Sequence, residues 1–337
     1  MTALLAIIAL LLLIEFALRI RHRQTLAPTC YQALRSKTRA LDRTRLVNKY
    51  RIVVFGDSIA HGEDLLYNQS YPHILSDLLN RQNPATSIAV INSGIRGCTS
   101  VLALDWLDAA VLRYKPHMVL LAFGLNDGKL GDWPLDRIRE RAMFQRMTLL
   151  GRLDDILRKH CHLYLTLMVR VRRLLRQWGY VPLAAWSSTF GPRVSQEGFT
   201  TAQRELVRRI RRRSGAVICL LTTTPVDERS GRELDPASYA WQQEIYEKYN
   251  EVIRHIAAQE GTHLIDLASA FGALSPERIA SLLQDDGVHL TAEGERVVAE
   301  HVAEALQQMG VLRAMENGAH LQIRKGLICP PAAEVRK

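Results

Sequence analysis

The chain has 337 residues, 47% of them hydrophobic and 23% charged, and its 44 Lys and Arg outnumber 34 Asp and Glu for a formal net charge of +10. That apolar share is ample for a packed core and excludes a disordered chain, while the basic surplus favours anionic surfaces as partners. The cysteines, Cys30, Cys98, Cys161, Cys219 and Cys329, are odd in number and scattered. That spacing excludes a disulfide framework or a cysteine-based metal site.

Residues Thr2 to Leu18 are almost wholly apolar, interrupted only by Glu15. At about 1.5 Å per residue such a run nearly spans a hydrocarbon layer of roughly 30 Å. No Lys or Arg precedes it, and no convincing small-x-small site follows. An uncleaved single-pass anchor over 1–20 is therefore expected rather than a cleaved leader. Arg19, Arg21, Arg23, Arg35, Lys37 and Arg39 come next, with no acid before Asp42. Residues 21–49 read as a basic juxtamembrane linker, and the positive-inside rule favours a cytoplasmic domain, with an extracytoplasmic domain the alternative because long domains can translocate despite their charge.

Periodic order begins at Arg51 and defines a main domain over 50–310, followed by a tail over 311–337. Strand-like apolar runs fall at 51–55, 87–92, 117–123, 216–222 and 262–267. Helical patterns at 70–82, 99–114, 196–213, 238–260, 276–283 and 291–309 lie between or after them. Strands alternating with helices imply βαβ units, hence a five-stranded parallel sheet in a three-layer α/β/α sandwich. Residues 129–192 exceed a single crossover and read as a helical cap insertion. Within it Leu163, Leu167, Val171, Leu174 and Trp178 recur at helical spacing, with Arg170 and Arg173 elsewhere on the wheel. An ordinary cap helix is the plainer expectation, and a helix lying on a membrane surface the sharper one.

The chemistry begins at Val53-Val54-Phe55-Gly56-Asp57-Ser58, a buried-strand pattern that delivers a serine to its carboxyl end. Open α/β sheets carry their sites there. A serine hydroxyl needs a base, an orienter and oxyanion donors. Asp286-Gly287-Val288-His289 supplies an acid and an imidazole three apart, close enough to meet on one turn. Asn92-Ser93-Gly94-Ile95-Arg96-Gly97 follows the second strand run, and Gly124-Leu125-Asn126-Asp127-Gly128 the third. Gly94 and Gly97 each allow close approach of a backbone N–H, and the Asn126 amide is a neutral donor. Asp57 and Asp127 read as local turn carboxylates. His61 sits too close to Ser58 on the same turn to serve as its base.

Together Gly-Asp-Ser, the glycine loop, Gly-x-Asn-Asp and Asp-x-x-His, in that order, resemble the GDSL/SGNH hydrolase family over roughly 50–310. The resemblance implies a flavodoxin-like fold and ester hydrolysis or acyl transfer through an acyl-serine. It implies Ser58 as nucleophile, Asp286 and His289 as its triad partners, and an oxyanion hole of Ser58 N–H, Gly97 N–H and the Asn126 side chain. Gly97 is preferred over Gly94 because the family's donor glycine ends such an Asn-x-x-x-x-Gly run. The layout is similar to membrane-anchored bacterial members.

No cofactor or metal is expected. The expected partner is an acyl ester of lipid or glycan, with the membrane engaged by the N-terminal helix and the basic cap helix. An O-acyltransferase or deacetylase acting on envelope polysaccharide or lipid is the runner-up. The surroundings of Ser58 lack the Gly-x-Ser-x-Gly elbow of α/β-hydrolases. Gly124 to Lys129 is one residue short of a phosphate loop. A metal-dependent phosphoesterase using Asp57, Asn126 and His289 lacks a dense ligand set. The run Arg208-Arg209-Ile210-Arg211-Arg212-Arg213 ends a helix without aromatic interleaving, so no nucleic-acid partner is expected.

Overall fold

The computed structural model describes residues 49–150, 190–232 and 234–310, Leu46, and isolated positions within 10–17 and 153–174. The chain divides into two units, one of Met1–Ser36 with Gly131–Gly191 and one of Lys37–Leu130 with Pro192–Lys337.

The second unit holds a parallel sheet of β1 (Tyr50–Gly56), β2 (Ile88–Asn92), β3 (Met118–Ala122), β4 (Val217–Leu221) and β5 (His263–Ile265). Its spatial order is β2-β1-β3-β4-β5. Val53 lies beside Ile91 on one neighbour and Val119 on the other. Successive β1 side chains point to opposite faces, yet Ile52, Val53, Val54 and Phe55 are all fully buried. Both faces of the sheet are therefore covered, as parallel sheets require.

The helices that cover it are α2 (Tyr71–Gln82), α3 (Ser100–Ala110), α6 (Gln196–Ser214), α7 (Pro236–Glu260) and α10 (Ala292–Gln308). Helix α2 packs on α10, joining Leu75 and Leu79 to Val298, Val302 and Leu306 over the β1 residues Ile52 and Val54. Helix α6 packs between α3 and α7. Four of these five starts have a side-chain cap: Thr99 for α3, Ser195 for α6, Asp235 for α7 and Thr291 for α10 accept backbone N–H groups of the first turn. These caps satisfy donors that an uncapped helix end leaves open.

Helix α3 ends four residues before the 99–114 pattern predicts. Val111 leaves helical geometry, and Leu112–Tyr114 form a 3-10 turn closed by Lys115 at φ 48°. The basic end of α6 is answered by carboxylates. Arg208 pairs with Glu260 at 3.0 Å, Arg209 with Glu205 at 2.7 Å, and Arg213 with Asp108.

The first unit contains α5 (Pro134–Met147) and a described apolar helical stretch at Leu10, Leu11 and 13–17. Within it the Leu163 N–H donates to Glu15 at 2.8 Å, so the acid of the N-terminal run meets the insertion. Among the described residues no helix is long and apolar enough to cross a membrane. Most of the expected anchor over 1–20, nearly all of the linker and the whole tail from 311 lie outside the described residues, as does Trp178 of the expected amphipathic helix.

Candidate active site

The sheet order places a topological switch point at β1, because the chain leaves β1 for β2 on one side and returns to β3 on the other. In open α/β sheets the crevice at such a point, beyond the strands' carboxyl ends, receives ligands. Ser58 follows β1, Gly97 follows β2 and Asn126 follows β3, so all three arrive there. Asp57 follows β1 and caps the short helix α1 (Ser58–His61) through its side chain, which accepts the Ile59 N–H at 3.0 Å. Ser58 becomes the first helical residue, and its own N–H has no partner within the helix.

His289 Nε2 lies 2.9 Å from Ser58 Oγ across 231 residues of sequence. On the other side of the ring, Nδ1 lies 2.5 Å from Asp286 Oδ2. A carboxylate only accepts, so Nδ1 carries the proton and Nε2 faces the serine as acceptor. The second oxygen of Asp286 takes the Val288 and His289 N–H groups, each at 2.9 Å. Burial pushes the Asp286 carboxyl upward, but those N–H groups and the imidazole outweigh it and hold it below its ordinary value. It therefore stays ionised through the neutral range.

The turn bearing this pair is pinned at several points. Gln284 N–H donates to His289 O at 2.7 Å, and its side chain reaches Glu63 O at 3.0 Å and Leu290 O at 2.7 Å. Asp227 N–H holds Gly287 O at 3.0 Å.

The two glycines of the second loop separate cleanly. A Cβ at Gly94 would collide with the His61 and Ala60 backbone, so Gly94 serves the close packing of this loop on α1. Gly97 sits at φ +66° with open space where a Cβ would be, on the wall of the cleft. The Arg193 guanidinium ties it to Asn126, donating to Gly97 O at 3.2 Å and to Asn126 Oδ1 at 3.1 Å. With its oxygen thus occupied and its amide hydrogen-bonded to Asp57, Asn126 is fixed in one flip state.

Asp127 differs from the local turn carboxylate expected for it. It is fully buried and reaches α3, accepting the Ser100 N–H at 2.9 Å and the Ser100 hydroxyl at 2.5 Å. This bond joins the loop after β3 to the segment following Gly97. Burial pushes Asp57 up to about 6 and Asp127 up to about 7, partly offset by the Ile59 N–H and His289 for the first and by Ser100 for the second.

A cleft of about 530 Å³ opens over Ser58 and His289, within the size range of small-molecule sites. Leu125, Leu130, Leu234, Val288 and Tyr246 give it apolar wall, and Gly97, Asn126 and several basic side chains give it polar wall. Sequence reasoning named Ser58, Gly97, Asn126, Asp286 and His289, and the fold brings all of them to this cleft. It missed Arg193, which lies 67 residues beyond Asn126. The main chain carries it back, since the Arg193 N–H donates to Lys129 O and the Val194 N–H to Asp127 O, each at 3.1 Å. No local pattern announces such a return. It also missed Asn92, although the Asn-x-Gly spacing was a signal: its Oδ1 accepts the Gly94 N–H at 3.0 Å.

An arylesterase of Vibrio mimicus is 32% identical over 81 residues, 24% of this chain and 40% of that protein. A thioesterase 1/protease 1/lysophospholipase L1 of Escherichia coli K12 is 30% identical over 83 residues, 25% of this chain and 38% of that protein. The chain thus spans about two fifths of the length of these curated relatives. Among solved structures, a lipase/acylhydrolase from Enterococcus faecalis aligns with a TM-score of 0.48 and 20% identity over 77% of this chain and 96% of its own. An acetyl xylan esterase, AlAXEase, aligns at 0.49 and 17% over 76% and 99%. The model of the GDSL-like lipase/acylhydrolase family matches residues 54–297, the span that carries the serine, the glycine loop, the asparagine and the Asp-His turn, and the chain belongs to that family.

Proposed function

We propose that this protein hydrolyses carboxylic esters through a Ser58–His289–Asp286 triad. The observation that carries the reading is the continuous path Asp286 Oδ2–His289–Ser58 Oγ, with contacts of 2.5 and 2.9 Å. His289 Nε2 takes the Ser58 proton as Oγ bonds to the ester carbonyl carbon. Negative charge collects on the carbonyl oxygen, facing the Ser58 N–H, the Gly97 N–H and the Asn126 amide. Collapse breaks the bond to the alcohol oxygen, which receives the proton from His289. Water, deprotonated by His289, then releases the acid and restores the serine. Asp286 holds the tautomer and balances the imidazolium. The chemistry matches what the names of the arylesterase and thioesterase relatives describe.

The experiment is turnover of 4-nitrophenyl acetate by the full chain, with variants of the oxyanion side. Asn126→Ala is expected to lower kcat by about 10²–10³-fold. Arg193→Gln is expected to lower kcat with little change in KM, because Arg193 orients the donor without touching the ester, and Arg193→Lys to restore part of the loss. No turnover by the wild type, or full activity of Asn126→Ala, sinks the reading. Acyl transfer to a second alcohol is the alternative, supported by the volume of about 530 Å³ in the cleft over the serine. Product partitioning with added alcohol separates it from hydrolysis.

Membrane anchoring through 1–20 is part of this proposal. It is supported by the exposed apolar side chains of Leu10, Leu13 and Phe16, and at the cap by exposed Leu149, Leu150, Leu167 and Leu174. The Arg-rich flank favours a cytoplasmic domain.

A further inference from the structure

Four cations line the cleft over Ser58: Arg96, Lys129, Arg229 and Arg232. Two of them are already answered. Arg96 pairs with Glu63, and with Asp64 at 3.8 Å. Arg229 pairs with Asp227 at 2.5 Å and donates to Ala280 O at 3.0 Å, which fixes its guanidinium. The carboxylates in the lining, Glu63 and Asp286, are committed to Arg96 and His289. Lys129 and Arg232 are exposed and form no ion pair among the described residues. The cleft thus presents two cations that its own acids do not neutralise.

Both spring from fixed main chain next to the reacting groups. Lys129 closes the short helix α4 (Leu125–Gly128) that carries Asn126, and its carbonyl accepts the Arg193 N–H at 3.1 Å. Arg232 closes the 3-10 turn Glu228–Gly231, whose capping residue Asp227 is bonded through its N–H to Gly287 in the His289 turn. One cation belongs to the oxyanion side and the other to the base side. The apolar residues Leu130, Leu234 and Val288 line the same cleft, where they lower the local polarity and strengthen attraction for an anion. A lysine point charge and a guanidinium fork together suit phosphate or carboxylate oxygens.

We infer that Lys129 and Arg232 form an anion subsite beside Ser58, so that the esters this chain selects carry a phosphate or carboxylate within reach of the scissile bond. The inference rests on the serine-hydrolase reading for which bond is cut, and on the cleft alone for the charge.

The test compares kcat/KM of the full chain on two matched pairs. Mono-(4-nitrophenyl) succinate against 4-nitrophenyl butyrate places a carboxylate on the acyl side. 1-Butyrylglycerol 3-phosphate against 1-butyrylglycerol places a phosphate on the alcohol side. The expected result is a preference of about tenfold or more for the anionic member of at least one pair at low salt. The responding pair identifies the anion and the side of the ester that bears it. The Lys129→Gln/Arg232→Gln double variant should lose that preference. So should the wild type as ionic strength rises from about 0.01 to about 1 M, where the Debye length shrinks from about 30 to about 3 Å. Equal rates within both pairs, or a variant that loses both members of a pair equally, overturn the inference. Calorimetric binding of the same esters to Ser58→Ala reads the charge contact without turnover. Charge-blind binding there overturns the subsite. Charge-selective binding to a chain that cleaves no ester supports the subsite and overturns the hydrolase reading alone.

Discussion

Ser58→Ala lowers ester turnover by about 10⁴–10⁶-fold, the loss seen when a serine nucleophile is removed from a triad. In the proposed mechanism the substitution deletes the atom that bonds to the carbonyl carbon. It leaves the Ser58 N–H, Gly97 and Asn126 in place, so a small residual rate from oxyanion binding persists. Stability should not follow activity. Asp57, not Ser58, caps α1, and its bond to the Ile59 N–H survives the change. The thermal midpoint is expected to stay within about 2 °C, the shift that roughly 1 kcal/mol brings to a chain of this size. A parallel loss of fold and activity would show that Ser58 is structural.

His289→Gln is the second large effect, about 10⁴-fold or more in kcat, because among the described residues His289 is the base bonded to Ser58 Oγ. His61 follows on the same helical turn, and the observed partner of Ser58 is His289. The main-chain bonds of the 284–290 turn run through Gln284 N, His289 O and Asp286 Oδ1, none of which is the imidazole, so the turn keeps its shape. Asp286→Asn should cost less than His289→Gln. An amide facing Nδ1 favours the wrong tautomer, which in a well-buried triad costs about 10⁴-fold. Here the Asp286 side chain is 48% exposed, so water can share in holding the ring. The ordering to expect in steady-state kinetics on 4-nitrophenyl acetate is wild type, then Asp286→Asn, then His289→Gln.

The parallel sheet is readable because β1 to β4 bury both faces and so appear as apolar runs. Val53-Val54-Phe55 and Met118-Val119-Leu120-Leu121 have no other stable home. Helix starts were readable where a capping side chain stands before an apolar period, as at Thr291. The end of α3 was not, since Val111 and Lys115 adopt conformations that their side chains do not announce. At the site, residues that end strands or form tight turns were legible by position: Ser58, Asn126, and the Asp286–His289 turn. Residues that act across long sequence distances were not. By sequence Asp127 reads as a local turn group, but its partner Ser100 is 27 residues away. Arg193 meets Gly97 from 96 residues away. Such contacts depend on where the crossover after β3 returns, and hydrophobic periodicity does not encode that point.

Acylation of Ser58 is read most plainly by trapping a covalent adduct. The full chain is treated with a fluorophosphonate, digested, and mapped by peptide mass spectrometry. One adduct is expected, on the peptide containing Gly56-Asp57-Ser58, absent from Ser58→Ala and greatly slowed in His289→Gln. An adduct on a different residue, or undiminished labelling and turnover in Ser58→Ala, would contradict it.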